Sequence, residues 1–120
     1  MRVRSILPVL MLVAAPVAAM LHFDLDHSLP EEGSSVHELN QVQLWFTQVP
    51  QDSATTVRLI DGAGELVEVG PLAQDAENKM AFSLPVAPSL PAGAYTVSWR
   101  SIGADGHVVR GDFGFSKAAH

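Results

Sequence analysis

Along five separate runs of this 120-residue chain, large apolar residues recur at every second position, and this period-two pattern restricts the fold more than any other feature. Successive side chains of an extended strand point to opposite faces, so such alternation indicates strands with one buried face. The alternating apolar positions are Val42, Leu44 and Phe46; Val57 and Leu59; Met80, Phe82 and Leu84; Tyr95, Val97 and Trp99; and Phe113 and Phe115.

Turn-forming segments at 30–33, 61–64, 91–93 and 105–106 separate these runs, and no window carries a helical stripe of apolar residues. Short alternating strands at such spacing are typical of an antiparallel sandwich or barrel. We therefore predict one all-β domain with one core. The alternation of Met80 with Phe82 places Met80 in that core.

The first 19 residues have the features of a secretory signal peptide. Arg2 and Arg4 precede an apolar stretch at 6–15, and small residues at 17–19 suit a signal peptidase. The apolar stretch is too short to span a bilayer comfortably. We predict cleavage after Ala19 and a folded domain over 20–120, with a retained N-terminal anchor as the alternative.

The charge of the chain restricts its partners. It has seven Lys and Arg and thirteen Asp and Glu, and loss of Arg2 and Arg4 with the signal leaves a formal charge of 5 − 13 = −8. An acidic surface argues against nucleic acid and anionic membrane as partners. The chain has no cysteine, so disulfides and thiolate metal sites are excluded. Metal ligands would be nitrogen or oxygen donors, or methionine sulfur.

Asp105 and His107 are the strongest candidates for a binding site. They are two residues apart after a strand-like run, so in extended backbone they project to the same face, with Gly106 between them. A carboxylate and an imidazole can together bind a metal ion. The alternative is a turn in which Asp105 bonds its own backbone. The predicted third ligand is His22, close to the start of the secreted chain.

The remaining histidines have weaker contexts. His37 and His120 have no ligand-like neighbours. His27 is five residues from His22, so an extended chain points it away from the side that carries His22, Asp24 and Asp26. His27 is therefore a candidate for a peripheral ligand only. Trp45 and Trp99 are predicted to serve packing rather than binding.

Several motifs, in order, resemble the CopC family of secreted copper-binding proteins. They are His22 followed by Ser28-x-Pro30-x-x-Gly33-Ser34; the run 42–49, similar to the family's Leu-x-Phe-Ser-Glu-x-Val strand; the run 91–100, similar to its Ala-Gly-x-Tyr-x-Val-x-Trp strand; and the run 101–115, similar to its Ser-x-Asp-x-His and Gly-x-Phe-x-Phe ending.

The resemblance implies an immunoglobulin-like Greek-key β-sandwich of about seven strands that holds Cu(II) near one end in the periplasm. By this resemblance the metal ligands are His22, Asp105 and His107. Some family members add an acidic ligand where this chain has the neutral Gln48, and some add a methionine-rich Cu(I) loop where it has only Met80. The implied partner is a membrane copper-transport protein of the CopD type.

The position of His22 relative to the cleavage site leaves two binding modes open. Family members usually begin with the histidine, so cleavage immediately before His22 would add its α-amine to the site. Cleavage after Ala19 makes His22 the third residue, and an amine, two deprotonated amides and an imidazole can then form a planar four-nitrogen set that Cu(II) favours. Zinc accepts the same side-chain ligands.

Three functions from different classes fit these features. The leading one is a non-enzymatic periplasmic Cu(II) carrier or buffer. The second is a redox enzyme with an N-terminal histidine brace, which requires His22 as the first residue and an open coordination position. The third is a plain immunoglobulin-like adhesion or chaperone domain without metal chemistry.

Overall fold

The structure is a computed structural model that describes residues 22–119. These residues form nine strands and no helix, so the described part of the chain contains no helix that could cross a membrane. The strands are β1 (Leu25–Leu29), β2 (Ser35–Val36), β3 (Gln41–Phe46), β4 (Thr56–Asp61), β5 (Leu66–Val67), β6 (Ala73–Gln74), β7 (Ala81–Pro85), β8 (Gly93–Ile102) and β9 (Val108–Lys117).

The strands form two sheets. One has four strands in the order β1-β3-β7-β6, and the other has five in the order β2-β9-β8-β4-β5. Six strands have five or more residues, and the three others have two each. The predicted all-β sandwich is confirmed, with short edge strands in addition to the strands that alternation indicated.

The core lies between the two sheets and is built from the alternating positions. Val42, Leu44, Leu59 and Val97 are completely buried. Phe46 is the centre of an aromatic cluster, because its ring contacts those of Phe23, Phe82 and Trp99 at centroid distances of 5.0, 5.7 and 5.2 Å. The period-two pattern therefore identified the buried faces of β3, β4, β7, β8 and β9 correctly, but it gave no signal for β1.

Met80 differs from the prediction that placed it in the core. It precedes β7 and is only half-buried. Its carbonyl oxygen accepts a hydrogen bond from the Phe46 N–H at 2.9 Å, and its own N–H donates to Asn78 Oδ1 at 3.1 Å. The residue belongs to the turn that enters β7, so the strand alternation does not extend to it.

Between residues 22 and 119 the longest strand pairing is the β8–β9 hairpin, with ten consecutive antiparallel pairs from Gly93–Lys117 to Ile102–Val108. Next to this hairpin, the segment between β3 and β4 is tied to the end of β8. Gln51 N–H donates to the Ile102 carbonyl at 2.9 Å, and the Thr55 and Ser101 hydroxyls are 2.8 Å apart. The β8–β9 loop and the β3–β4 connection thus lie at the same end of the sandwich.

A close contact inside this hairpin gives a test of the packing. A Cβ atom added at Gly111 would lie 2.6 Å from the Trp99 indole, whereas one added at Gly114 would meet only the Tyr95 carbonyl oxygen at 3.5 Å. We expect Gly111→Ala to lower the free energy of unfolding by about 1–3 kcal/mol through overpacking. Denaturant unfolding monitored by tryptophan fluorescence measures it.

Gly114→Ala is the matched control on the same strand. It should leave stability unchanged or raise it by about 0.4–1 kcal/mol, because alanine restricts the unfolded chain. Equal stabilities of the two variants would contradict the close approach of the Trp99 ring to Gly111.

Candidate metal centre

The loop 103–107 joins β8 to β9 and carries two of the predicted ligands. Gly103 N–H donates to the His107 carbonyl at 3.1 Å, and Gly106 N–H donates to the Gly103 carbonyl at 2.9 Å. Gly106 has a φ of 89°, a conformation that favours glycine. This tight closure places Asp105 and His107 together at the tip of the longest hairpin.

The Asp105 carboxylate contacts His107 twice. Oδ1 accepts the His107 backbone N–H at 3.0 Å, and Oδ2 lies 2.8 Å from His107 Nδ1. Both side chains are largely exposed, at 67% for Asp105 and 83% for His107. The structure therefore brings the predicted pair together. It also contains the backbone-bonded turn that the sequence offered as the alternative.

These contacts shift both protonation equilibria. The hydrogen bond from the His107 backbone N–H, followed by the bond from its imidazole, holds the pKa of Asp105 below its usual value. The hydrogen bond to the carboxylate and the attraction of its charge raise the pKa of His107 above the usual value for an imidazole. The pair thus favours a charged carboxylate next to a protonated imidazole.

The segment that carries His22 is fixed at the same end of the sandwich. The buried Phe23 ring stacks on Phe46, and a Cβ atom added at Gly103 would lie 3.1 Å from Phe23 Cβ. Thr47 Oγ1 donates to the His22 carbonyl at 2.9 Å and accepts the Asp24 N–H at 3.0 Å. Packing and hydrogen bonds therefore hold this segment against the β8–β9 loop.

The side chain of His22 is exposed. Among residues 22–119, no three or more His, Asp and Glu side chains are grouped closely enough to hold a metal ion. Asp105 and His107 thus form a preassembled pair, whereas His22 is near the loop without completing a three-residue cluster. Its role as a ligand stays a prediction.

His27 lies on β1 and is engaged in packing. Its ring stacks on Trp45 with a centroid distance of 4.4 Å and an interplanar angle of 8°. Its Nδ1 lies 2.7 Å from Asp26 Oδ2. The prediction that Asp26 and His27 project to opposite sides is wrong, because the register with β3 shifts between Leu25 and His27 and interrupts the alternation.

The other predicted residues lie elsewhere or outside the described residues. Gln48 follows Thr47 in the chain and is half-buried. His37 follows β2, which pairs with the end of β9, about 30 Å from the β8–β9 loop at the usual rise of a strand. His120, the signal peptide 1–19 and the cleavage site lie outside residues 22–119. Trp99 is buried, as a packing role requires.

Sequence reasoning missed the residues that position the site. Thr47 binds the backbone of the segment that carries His22, and Phe23 in that segment lies against Gly103 in the loop. None of the three has a side chain that suits a metal ion. An apolar Phe23 directly after His22 was the available signal. It indicates that this segment is packed in the fold.

A two-sheet β-sandwich, with a carboxylate–imidazole pair at the tip of its longest hairpin and a histidine segment fixed against that tip, defines the class of this domain. The chain belongs to the CopC domain family, whose model matches residues 25–118.

Individual relatives agree with this family. The chain is 29% identical over 106 residues to copper resistance protein C of Escherichia coli, with 82% of this chain and 83% of that protein covered. It is 25% identical over 112 residues to copper transport protein CutJ of Bacillus subtilis strain 168, covering 92% of this chain but only 21% of CutJ. The crystal structure of CopC from Methylosinus trichosporium OB3b superposes with a TM-score of 0.75 at 26% identity, covering 82% of this chain and 96% of that one.

The Asp105–His107 contact predicts a measurable titration. In the metal-free protein the imidazole of His107 should have a pKa above the usual value, and Asp105→Asn should lower it, because the variant removes the negative charge that stabilises the protonated ring. Proton NMR of the histidine ring resonances against pH measures this shift. Glu68→Gln, which removes one charge from an exposed site on another strand connection, should leave the His107 pKa unchanged; an equal fall in both variants would contradict the direct contact.

Proposed function

We propose that this protein is a secreted Cu(II)-binding protein of the periplasm that carries or buffers copper. The observation that supports the proposal most strongly is the Asp105–His107 contact on the loop against which the His22 segment packs. Membership of the CopC domain family and the names of two relatives, a copper resistance protein and a copper transport protein, also support it.

The donor atoms fit a copper ion. Two ligands at right angles on a metal, each with a bond of about 2.0 Å, lie about 2.8 Å from one another. His107 Nδ1 and Asp105 Oδ2 are separated by 2.8 Å. An ion replacing the shared proton would therefore need little rearrangement of the loop. Imidazole and carboxylate in a tetragonal arrangement suit Cu(II), which has the highest intrinsic affinity among divalent first-row metals.

His22 supplies the third ligand in this proposal. Its backbone is held by Thr47 while its imidazole is exposed at the same end of the sandwich. A fixed backbone with a free side chain lets the imidazole turn to the metal at a modest entropic cost. With cleavage after Ala19, the amine and amides that precede His22 would be alternative donors.

The exposure of the pair suits a carrier more than an enzyme. Asp105 and His107 lie at a loop tip and are both more than half exposed, so another protein's ligands can approach the metal directly. We propose a membrane copper-transport protein of the CopD type as the partner in this exchange. The match to one fifth of the longer copper transport protein CutJ supports a link between this domain and copper transport.

Loss of His107 should weaken Cu(II) binding. We expect His107→Ala to reduce the affinity by about tenfold or more, because one nitrogen ligand of the ion is removed. Competition titration against a Cu(II) chelator measures the affinity. Binding should also raise the melting temperature of the unsubstituted protein, since the ion stabilises the native state by RT ln(1 + [L]/Kd).

His37→Ala is the matched control, because it removes an exposed imidazole at the far end of the sandwich. It should leave the affinity unchanged. Equal affinities of the two variants would remove His107 from the site, and an unchanged melting temperature with equimolar Cu(II) in a non-chelating buffer would overturn the function itself.

The contribution of Asp105 distinguishes the two binding modes. If Cu(II) is held by the side chains of His22, Asp105 and His107, Asp105→Ala should weaken binding at every pH where the carboxylate is charged, and the visible spectrum should stay constant from neutral to alkaline pH. If amide nitrogens take over, they must lose protons, so binding should strengthen with pH and the absorption should move to shorter wavelength. We expect the first result near neutral pH, because the folded loop holds its ligands in advance.

A further inference from the structure

Three arginines share the outer face of the five-stranded sheet. Arg100 on β8 is directly opposite Arg110 on β9, and Arg58 on β4 is opposite Ser98, two residues from Arg100. Side chains alternate between the two faces of each strand, so the arginines point outward while adjacent residues, such as Trp99, point into the core. All three arginine side chains are exposed.

This cluster is unusual for so acidic a chain. The whole sequence has seven Lys and Arg against thirteen Asp and Glu, and two of the seven lie in the predicted signal peptide. Three of the remaining five therefore lie on one face of one sheet. Within residues 22–119 the ion pairs are those of His27 with Asp26 and His107 with Asp105, so none of the three guanidinium groups forms an ion pair with a carboxylate of these residues.

The charges of the arginines make this arrangement electrostatically unfavourable in the folded protein. Like charges directly opposite one another in a sheet repel, and Arg100 faces Arg110 in this way. Asp112, in register with Ser98, is the carboxylate on the same face of β9 and forms no ion pair with them. A bound anion would relieve the repulsion, and guanidinium forks suit carboxylate oxygens in paired hydrogen bonds.

The surface between the arginines is shaped to accept such a group. A shallow depression is lined by Thr56, Arg58, Ser98, Trp99, Arg100 and Arg110. In register, Thr56 neighbours Arg100 and Ser98 neighbours Arg58. Hydroxyl donors therefore alternate with guanidinium donors across adjacent strands. Arg58, Arg100 and Arg110 define this surface of the sheet, the arginine face.

We propose that the arginine face docks an acidic segment of a partner protein, with aspartate or glutamate carboxylates lying across β4, β8 and β9. A narrow peptide segment fits the charge pattern better than a membrane does. A membrane surface would also meet the acidic residues around the face, including Asp112 and the exposed Glu65 and Glu68 beyond β4. The net charge of the chain opposes that approach.

The position of the face gives the docking a consequence. Arg110 on β9 is three residues beyond His107, and Arg100 on β8 is three residues before the loop begins at Gly103. The face therefore begins about 10 Å from the loop that carries the predicted copper ligands. An acidic segment held there fixes the orientation of the loop relative to the partner. Docking itself uses no metal, so it can be tested independently of copper binding.

The test measures fluorescence anisotropy of a labelled short oligoglutamate peptide mixed with the purified, metal-free protein at low ionic strength. Arg100→Gln together with Arg110→Gln should weaken binding by about tenfold or more, because two charge-assisted contacts are lost. Added salt should weaken binding of the unsubstituted protein. The melting temperature of the double variant should be unchanged or higher, since the repelling pair is gone.

The matched control is Lys79→Gln together with Lys117→Gln, which removes two positive charges outside the arginine face and should change the affinity less than about twofold. Equal losses in the two double variants would overturn the proposal, because net charge alone would then explain binding. So would the absence of peptide binding, whether or not the protein binds phosphatidylglycerol vesicles. Self-association that is lost only in the arginine variant, without peptide binding, would instead assign the face to a second copy of the chain and overturn the proposal.

Discussion

The pairing of β8 with β9 is the constraint on which the other features of this molecule depend. Ten consecutive pairs fix a single register, and the period of two then determines what every residue of the hairpin faces. Tyr95, Val97 and Trp99 enter the core, Arg100 and Arg110 face outward, and the loop between the strands is held at one end. A slip of one residue would exchange the buried and the exposed side chains of the hairpin. Packing of the core therefore fixes the register, and with it the positions of the surface residues.

The second constraint is the aromatic packing between the sheets. Phe46 belongs to the four-stranded sheet and Trp99 to the five-stranded sheet, and their rings meet in the core. Phe23 extends this cluster to the first described segment and reaches Gly103 at the base of the loop. The backbone segment that carries His22 therefore packs against the loop of Asp105 and His107 only when the two sheets are packed together, so the predicted metal site depends on the tertiary fold.

The features that depend on local alternation could be predicted from the sequence, and those that depend on the register between strands could not. Period two predicted the buried faces of β3, β4, β7, β8 and β9. The Asp105–His107 pair was predicted on the same face of extended backbone, whereas the structure forms it in a turn in which Gly106 has a φ of 89°. Local pattern could not reveal the irregularity near Asp26, since nothing in the alternation marks an extra residue in one strand. It also could not place Arg58 beside Arg100, because these residues are 42 positions apart in the chain and meet only through the pairing of β4 with β8.

The edges of the two sheets have a consequence for the protein in a crowded compartment. Three of the four outermost strands, β2, β5 and β6, have only two residues each, and the fourth, β1, has its ladder interrupted near Asp26. Long regular edges offer rows of unpaired backbone groups on which another chain can add a strand, and this is a common route to aggregation. Edges this short or irregular offer few unpaired backbone groups in a row, so another chain has few positions at which to add a strand. Edge-to-edge pairing between two copies of this domain is therefore disfavoured by the lengths and irregularity of its own edge strands.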